Sequence, residues 1–166
     1  DIPAITSFYR RGLTSDITSE IHFQADPNVV MSGVNTFFQT KIGYFAVGAA
    51  GSNVTHYGTG FSATMGYDIS NTSNSDYRRG IRLGADYRSN NFMTMGTVEP
   101  DNSTALQLAA TYYQDLPWAV TSSFSTNYAF GRDSDSDHYG VDMTFARSFN
   151  RSLNTGLTLG YDKTAN

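Results

Sequence analysis

The chain of 166 residues contains no cysteine, which excludes disulfide bonds, thiolate nucleophiles and cysteine-ligated metal sites. Lysine and arginine together number only 11 and the formal net charge is −4. The chain therefore has no polybasic surface, and nucleic acid is not an expected partner. No apolar run approaches the roughly 18 residues that a membrane-spanning helix needs.

The first residues, DIPAITSFYRR, lack the basic and apolar regions of a signal peptide. We expect either a chain whose export signal has been removed or an excerpt of a longer protein. Glycine (15), tyrosine (11) and phenylalanine (11) are plentiful. Aromatic residues favour strands over helices, and no segment shows the pattern of a capped amphipathic helix.

Apolar and polar residues alternate along most of the chain, which is the pattern of extended strands with two different faces. The segment 77–90, YRRGIRLGADYRSN, is one example. Clusters of turn-forming residues separate the alternating segments, among them 89–91 and 99–102. The pattern predicts an all-β protein, an antiparallel up-and-down meander of about 10–11 long strands of roughly nine to eleven residues. Residues 1–166 are expected to form one domain.

Strands of this length suit a transmembrane β-barrel or a segment of one, because a tilted strand needs about 9–11 residues to cross a bilayer. Aromatic residues are expected at strand ends, as in the girdles of such barrels: Tyr57, Tyr77, Tyr87, Trp118, Tyr128, Phe130, Tyr139, Phe149 and Tyr161. A soluble β-sandwich or barrel is the alternative.

In the membrane interpretation each strand turns one set of side chains to lipid and the other to a hydrated lumen. The residues predicted to face lipid are Phe61, Met65, Ile81, Leu83, Leu106, Leu108, Val141, Leu157 and Leu159. The polar residues predicted to face the lumen are Glu20, His22, Gln24, Arg82, Asp86, Arg88 and Asp142.

The segment FYRRGLTSDITSEIHFQAD, residues 8–26, resembles a hairpin of the fimbrial outer-membrane ushers. The matching residues are Tyr9, Arg10, Arg11, Gly12, Leu13 and Thr14, then Ile17, Thr18, Glu20 and His22. The glycine- and alanine-rich segment IGYFAVGAAGSN, the stretch GADYRSNNF and the serine-rich segment from Leu116 to Asp162 are also similar to ushers.

The resemblance implies a segment of the translocation barrel through which chaperone-delivered pilus subunits are secreted and assembled, and no plug or periplasmic domain of an usher is expected within residues 1–166. It implies a bacterial outer-membrane location, with lipid and the pilus subunits with their periplasmic chaperone as partners. It implies no bond-making chemistry, no enzyme activity and no cofactor. A small self-contained porin or adhesin-like barrel, and a soluble carbohydrate-binding sandwich that uses tyrosines and Trp118, are the alternatives.

Three short stretches resemble parts of known chemical sites, but each lacks residues that the site requires. Glu20 and His22 share a strand face, but two ligands on one strand do not make a metal site, and His56 and His138 lie near distant turns. The stretch DSDSD, residues 133–137, lacks the glycine and the glutamate that an EF-hand loop requires. GFSAT, residues 60–64, has Thr64 where a nucleophile elbow needs its second glycine. No catalytic or metal-binding residue is therefore predicted.

Overall fold

The computed structural model describes residues 3–71, 77–96, 102–132, 137–149 and 154–165. Ten β-strands make up the regular structure of these residues: β1 (Ile5–Gly12), β2 (Ile17–Ala25), β3 (Val29–Thr40), β4 (Gly43–Val54), β5 (Gly58–Asn71), β6 (Arg79–Arg88), β7 (Thr104–Leu116), β8 (Val120–Gly131), β9 (Asp137–Ser148) and β10 (Asn154–Ala165). Among the described residues, no helix has the length and apolar character required to cross a bilayer.

The strands form a single sheet in the order β1 to β10, and every strand is antiparallel to the one before it. Apart from the connection between β6 and β7, the connections are short, and short connections can join hairpin neighbours but cannot carry a crossover. Within the described residues β1 pairs only with β2 and β10 only with β9, so both outer strands keep a free edge.

The prediction of an all-β antiparallel meander of about 10–11 long strands is confirmed, with ten strands of 8 to 14 residues. Two details differ. The described residues between the turn clusters 89–91 and 99–102 form no further strand: Phe92 and Met93 lie in the connection between β6 and β7 and are buried. Tyr161, expected at a strand end, lies within β10, four residues from its last residue.

The sheet lacks a conventional core. The chain exposes 11458 Å², whereas a globular monomer of 18.2 kDa is expected to expose about 8,100 Å². The buried apolar side chains of the described residues are few: Val29, Met31, Val54, Phe92 and Met93. Most apolar side chains of the strands are therefore left without a protein layer to cover them.

The buried side chains lie where residues 89–96, which we call the strap, fold back over β3, β4 and β5. The backbone amide of Met93 donates to the Ser52 hydroxyl on β4 at 3.1 Å. Val29, Val54 and Met93 form one buried cluster. The strap thus provides the only second layer over the described part of the sheet.

Asp26, in the β2–β3 turn, holds both its own turn and the end of the strap. Its Oδ1 accepts from the amides of Asn28 at 2.7 Å and Val29 at 2.8 Å. Its Oδ2 accepts from the amide of Gly96 at 3.3 Å. These bonds favour the ionised carboxyl and hold the pKa of Asp26 below its ordinary value, led by the bond from Asn28.

Because the pKa of Asp26 is lowered, its stabilising contribution is present at neutral pH and lost as the pH falls through that lowered pKa. We expect the amide of Gly96 to lose hydrogen-exchange protection below about pH 4, the ordinary range of an aspartate. Asp26→Asn should show weaker protection that no longer depends on pH in this range. Asp16→Asn, in a turn away from the strap, should keep the parent's pH dependence; a profile unchanged by Asp26→Asn would contradict this role.

Candidate functional site

The antiparallel register assigns every strand residue to one of two faces, because directly paired residues point the same way. Leu83 is paired with Tyr67 and Ala110, and we call its side of the sheet the apolar face. Arg82 is paired with Asp68 and Thr111, and its side is the polar face. Of the exposed large apolar side chains in the described strands, only Phe8 and Tyr44 lie on the polar face.

The two sets of residues named from the sequence lie on opposite faces. The apolar face carries Phe61, Met65, Ile81, Leu83, Leu106, Leu108, Val141, Leu157 and Leu159. The polar face carries Glu20, His22, Gln24, Arg82, Asp86, Arg88 and Asp142. One continuous row of paired residues on the polar face joins Glu20 to Asp86 through Asn35, Gly48 and Thr64.

Charged residues of the apolar face lie only near the strand ends within the described chain. They are Arg11, Arg79, Asp137, Arg147 and Lys163. In β9, Asp137 and Arg147 bracket an uncharged stretch of ten residue steps, about 34 Å along the strand. At the tilt of about 35–45° found in membrane barrels, this stretch covers about 24–28 Å, and the apolar band of such barrels is about 25 Å tall.

Aromatic rings group on the apolar face near the end of the sheet where the strap lies. Tyr139 lies 6.4 Å from Tyr128 and 6.1 Å from Tyr161, measured between ring centroids. Tyr128 also contacts Phe130 at 4.5 Å. These four rings cross three adjacent strands, so they form a row at the margin of the uncharged band.

The polar face is held by short contacts between neighbouring strands. Arg82 Nε lies 2.9 Å from Asp68 Oδ2, and Arg10 Nε lies 3.3 Å from Glu20 Oε2. The hydroxyls of Thr111 and Ser125 are 3.2 Å apart. Because the arginine side chains are largely exposed, each ion pair contributes only about 0–1 kcal/mol. The polar face therefore neutralises part of its charge without forming a deep charged site.

Glycines of the polar face receive the longer polar side chains of adjacent strands. A Cβ added at Gly33 would overlap the His22 ring, and one at Gly140 would overlap the Asn127 carboxamide. The same holds for Gly48 beneath Asn35, Gly80 beneath Tyr113 and Gly160 beneath Asp142. Side chains that lie over glycines project less from the sheet, so the polar face has low relief.

The arrangement does not assemble a recognisable reaction centre. Within the described ranges no group of three or more histidine, aspartate or glutamate residues is placed to hold a metal ion. Ser62 of the GFSAT segment lies inside β5, on the polar face opposite Arg88. His138 contacts Asp162 at 3.0 Å, but both side chains are exposed at the edge of the sheet. Most of the DSDSD stretch lies outside the described residues.

Sequence reasoning missed the strap and the glycines beneath polar side chains. A signal for the strap is present in β3, where Val29, Val30 and Met31 are apolar in succession and so break the alternation. Three apolar residues in a row require cover on both faces of a strand. The paired glycines carry no comparable signal, because they depend on which strands pair and in which register.

Comparisons with models of known protein families, with curated proteins and with solved structures find no match for this chain.

Gly140→Val should lower the free energy of unfolding by about 1 kcal/mol relative to Gly84→Val, because the end of the Asn127 side chain must rotate out of its place. Gly84→Val is the matched control, since nothing lies within 4 Å of a Cβ added there. Both glycines lie on the polar face, so urea unfolding of the two variants in the same micelle isolates the contact. Equal losses for the two variants would contradict the role assigned to Gly140.

Proposed function

We propose that this chain forms part of the wall of an outer-membrane β-barrel, with its apolar face toward lipid and its polar face toward a water-filled lumen. The observation that carries the proposal is the uncharged band of the apolar face, bracketed by Asp137 and Arg147. Exposed apolar areas on soluble monomers rarely exceed a few hundred Å². Here the apolar side chains of a whole sheet face are without cover, and lipid supplies that cover.

Within this setting we propose the secretion pore of a pilus usher. The support is the resemblance of residues 8–26 to an usher hairpin, a segment that here forms β1, a turn and β2. The character of the polar face adds to it. A folded subunit passing along this face would meet hydroxyls, amides and partly neutralised charges with low relief, and so few surfaces that would hold it.

A pore for folded subunits must be wider than ten strands allow. Barrels of about 8 strands are filled by their own side chains, and those of 16–18 strands leave an aqueous channel. The proposed function therefore requires further strands, and the free edges of β1 and β10 are where they would pair. Within the described residues each of these strands pairs on one side only, so the backbone groups of its outer edge are available for further pairing.

A smaller barrel is the second candidate, and the number of strands favours it. Ten is even, so β1 and β10 run antiparallel and their edges could pair directly. Cysteines placed on β1 and β10 would crosslink efficiently within one chain in this case. The usher proposal expects such crosslinks to be absent from the intact pore.

Leu83→Arg should impair insertion by about 2–4 kcal/mol if the position lies near the bilayer midplane, because the guanidinium would face lipid. Gly84→Arg is the adjacent control on the opposite face, where the added side chain enters open space. Folding into liposomes, followed by protease protection, measures the difference. If the two variants insert equally well, the assignment of faces to lipid and lumen is wrong.

A photo-crosslinking amino acid separates the usher proposal from other barrels. Placed at Gln107 on the polar face, in the intact protein of cells assembling pili, it should form adducts with a pilus subunit in transit. Placed at the neighbouring Leu108 on the apolar face, it should form none. If the protein inserts into the membrane but forms no subunit adducts at residue 107, the barrel proposal stands and the usher proposal is wrong.

A further inference from the structure

The polar face carries an apolar patch at one end. Val29 and Met31 of β3 and Val54 of β4 point to this face, and they are 1%, 5% and 4% exposed. Phe92 and Met93 of the strap cover them and are equally buried. Without the strap these side chains would form an adhesive area on an otherwise polar surface.

The strap crosses three strands and is tied down along its length. At its start Ser89 exchanges bonds with Phe61 of β5, and the amide of Phe61 donates to the Ser89 hydroxyl at 2.8 Å. The Met93 bond to Ser52 fixes its middle on β4, and the Gly96 bond to Asp26 fixes its end at the β2–β3 turn. The attachments therefore run from β5 to β3.

Side chains that follow the strap secure its first turn. The Asn102 carboxamide donates to the carbonyls of Ser89 at 3.1 Å, Asn90 at 2.9 Å and Phe92 at 2.6 Å. Arg132, after β8, donates to the carbonyls of Asn102 and Arg88. Asn102 thus holds the first turn of the strap directly, and Arg132 holds Asn102 and the end of β6 beside it.

Gly60 of β5 permits the close approach of the strap. A Cβ at this position would overlap the backbone of Asn91 and Phe92, which cannot move aside as a flexible side chain can. The strap backbone therefore rests directly on the β5 backbone. Any larger residue at position 60 must push the strap away from the sheet.

We propose that the strap is a fixed cover of the lumen wall: it hides the apolar patch from passing polypeptide and permanently narrows the lumen at that end. The narrowing and the passing polypeptide rest on the proposed function, whereas the fixed contact with the sheet does not. The cover stays closed during transport, because its bonds are distributed over β5, β4 and the β2–β3 turn. The passage lies beside the strap and not beneath it.

A cysteine at position 54 reports on the cover. In the protein carrying Val54→Cys, refolded in detergent micelles, a charged maleimide should react at least tenfold more slowly than with Thr158→Cys, which is exposed on the same face. Adding Gly60→Val should remove most of this protection, and adding Gly84→Val should leave it intact. Two results would contradict the proposal that the strap is a fixed cover. One is rapid labelling of Val54→Cys without a second substitution, and the other is equal protection of the cysteine at position 54 in the Gly60→Val and Gly84→Val proteins.

A second arm tests the fixed position during transport. Cysteines at Ser52 and Met93, allowed to form a disulfide while the chain folds, lock the strap onto β4 in the intact pore. Subunit secretion should be unchanged by the lock, whereas Gly60→Val should slow secretion through adhesion to the exposed patch. Loss of secretion on locking would overturn the proposal by showing that the strap must open. Because the labelling arm needs neither membrane nor subunit, it distinguishes failure of the cover from failure of the usher function.

Discussion

Every feature of this protein depends on one constraint, which is that successive residues of a strand point to opposite faces while paired residues point to the same face. The pairs from β1 to β10 preserve the separation of apolar and polar sets from strand to strand. A shift of one residue in any pairing would send the apolar set of that strand to the polar side. The register is therefore what turns ten alternating segments into one apolar surface and one polar surface.

This constraint explains why the sequence alone predicts so much of the fold. The alternation around Leu83 and Arg82 assigns each residue to a face before any partner is known, because the period of a strand is two. The turn clusters then limit the connections to hairpins, so a meander is the only simple topology. The period of two therefore placed the two predicted sets of residues on opposite faces of the sheet. Lipid on one side and a lumen on the other belong to the proposed function.

Features that depend on contacts between distant segments were not predictable in this way. The strap is an example, since Phe92 and Met93 sit between two turn clusters and carry an apolar pattern that also suits a short strand. Their burial follows from contact with Val29 and Val54, which are remote in sequence. The place of Asn127 over Gly140 likewise depends on the pairing of β8 with β9.

Among the described residues, each strand pairs only with its neighbours in sequence, and this has a consequence for how such a sheet can change in evolution. Each hairpin contacts only the hairpins beside it, so the sheet behaves as a linear array to which units can be added or removed at an edge. In the part of the chain that the structure describes, only the strap joins β6 to β3 across the intervening strands. We therefore expect the strands from β3 to β6 to be gained or lost only together in evolution, while the number of flanking hairpins can vary.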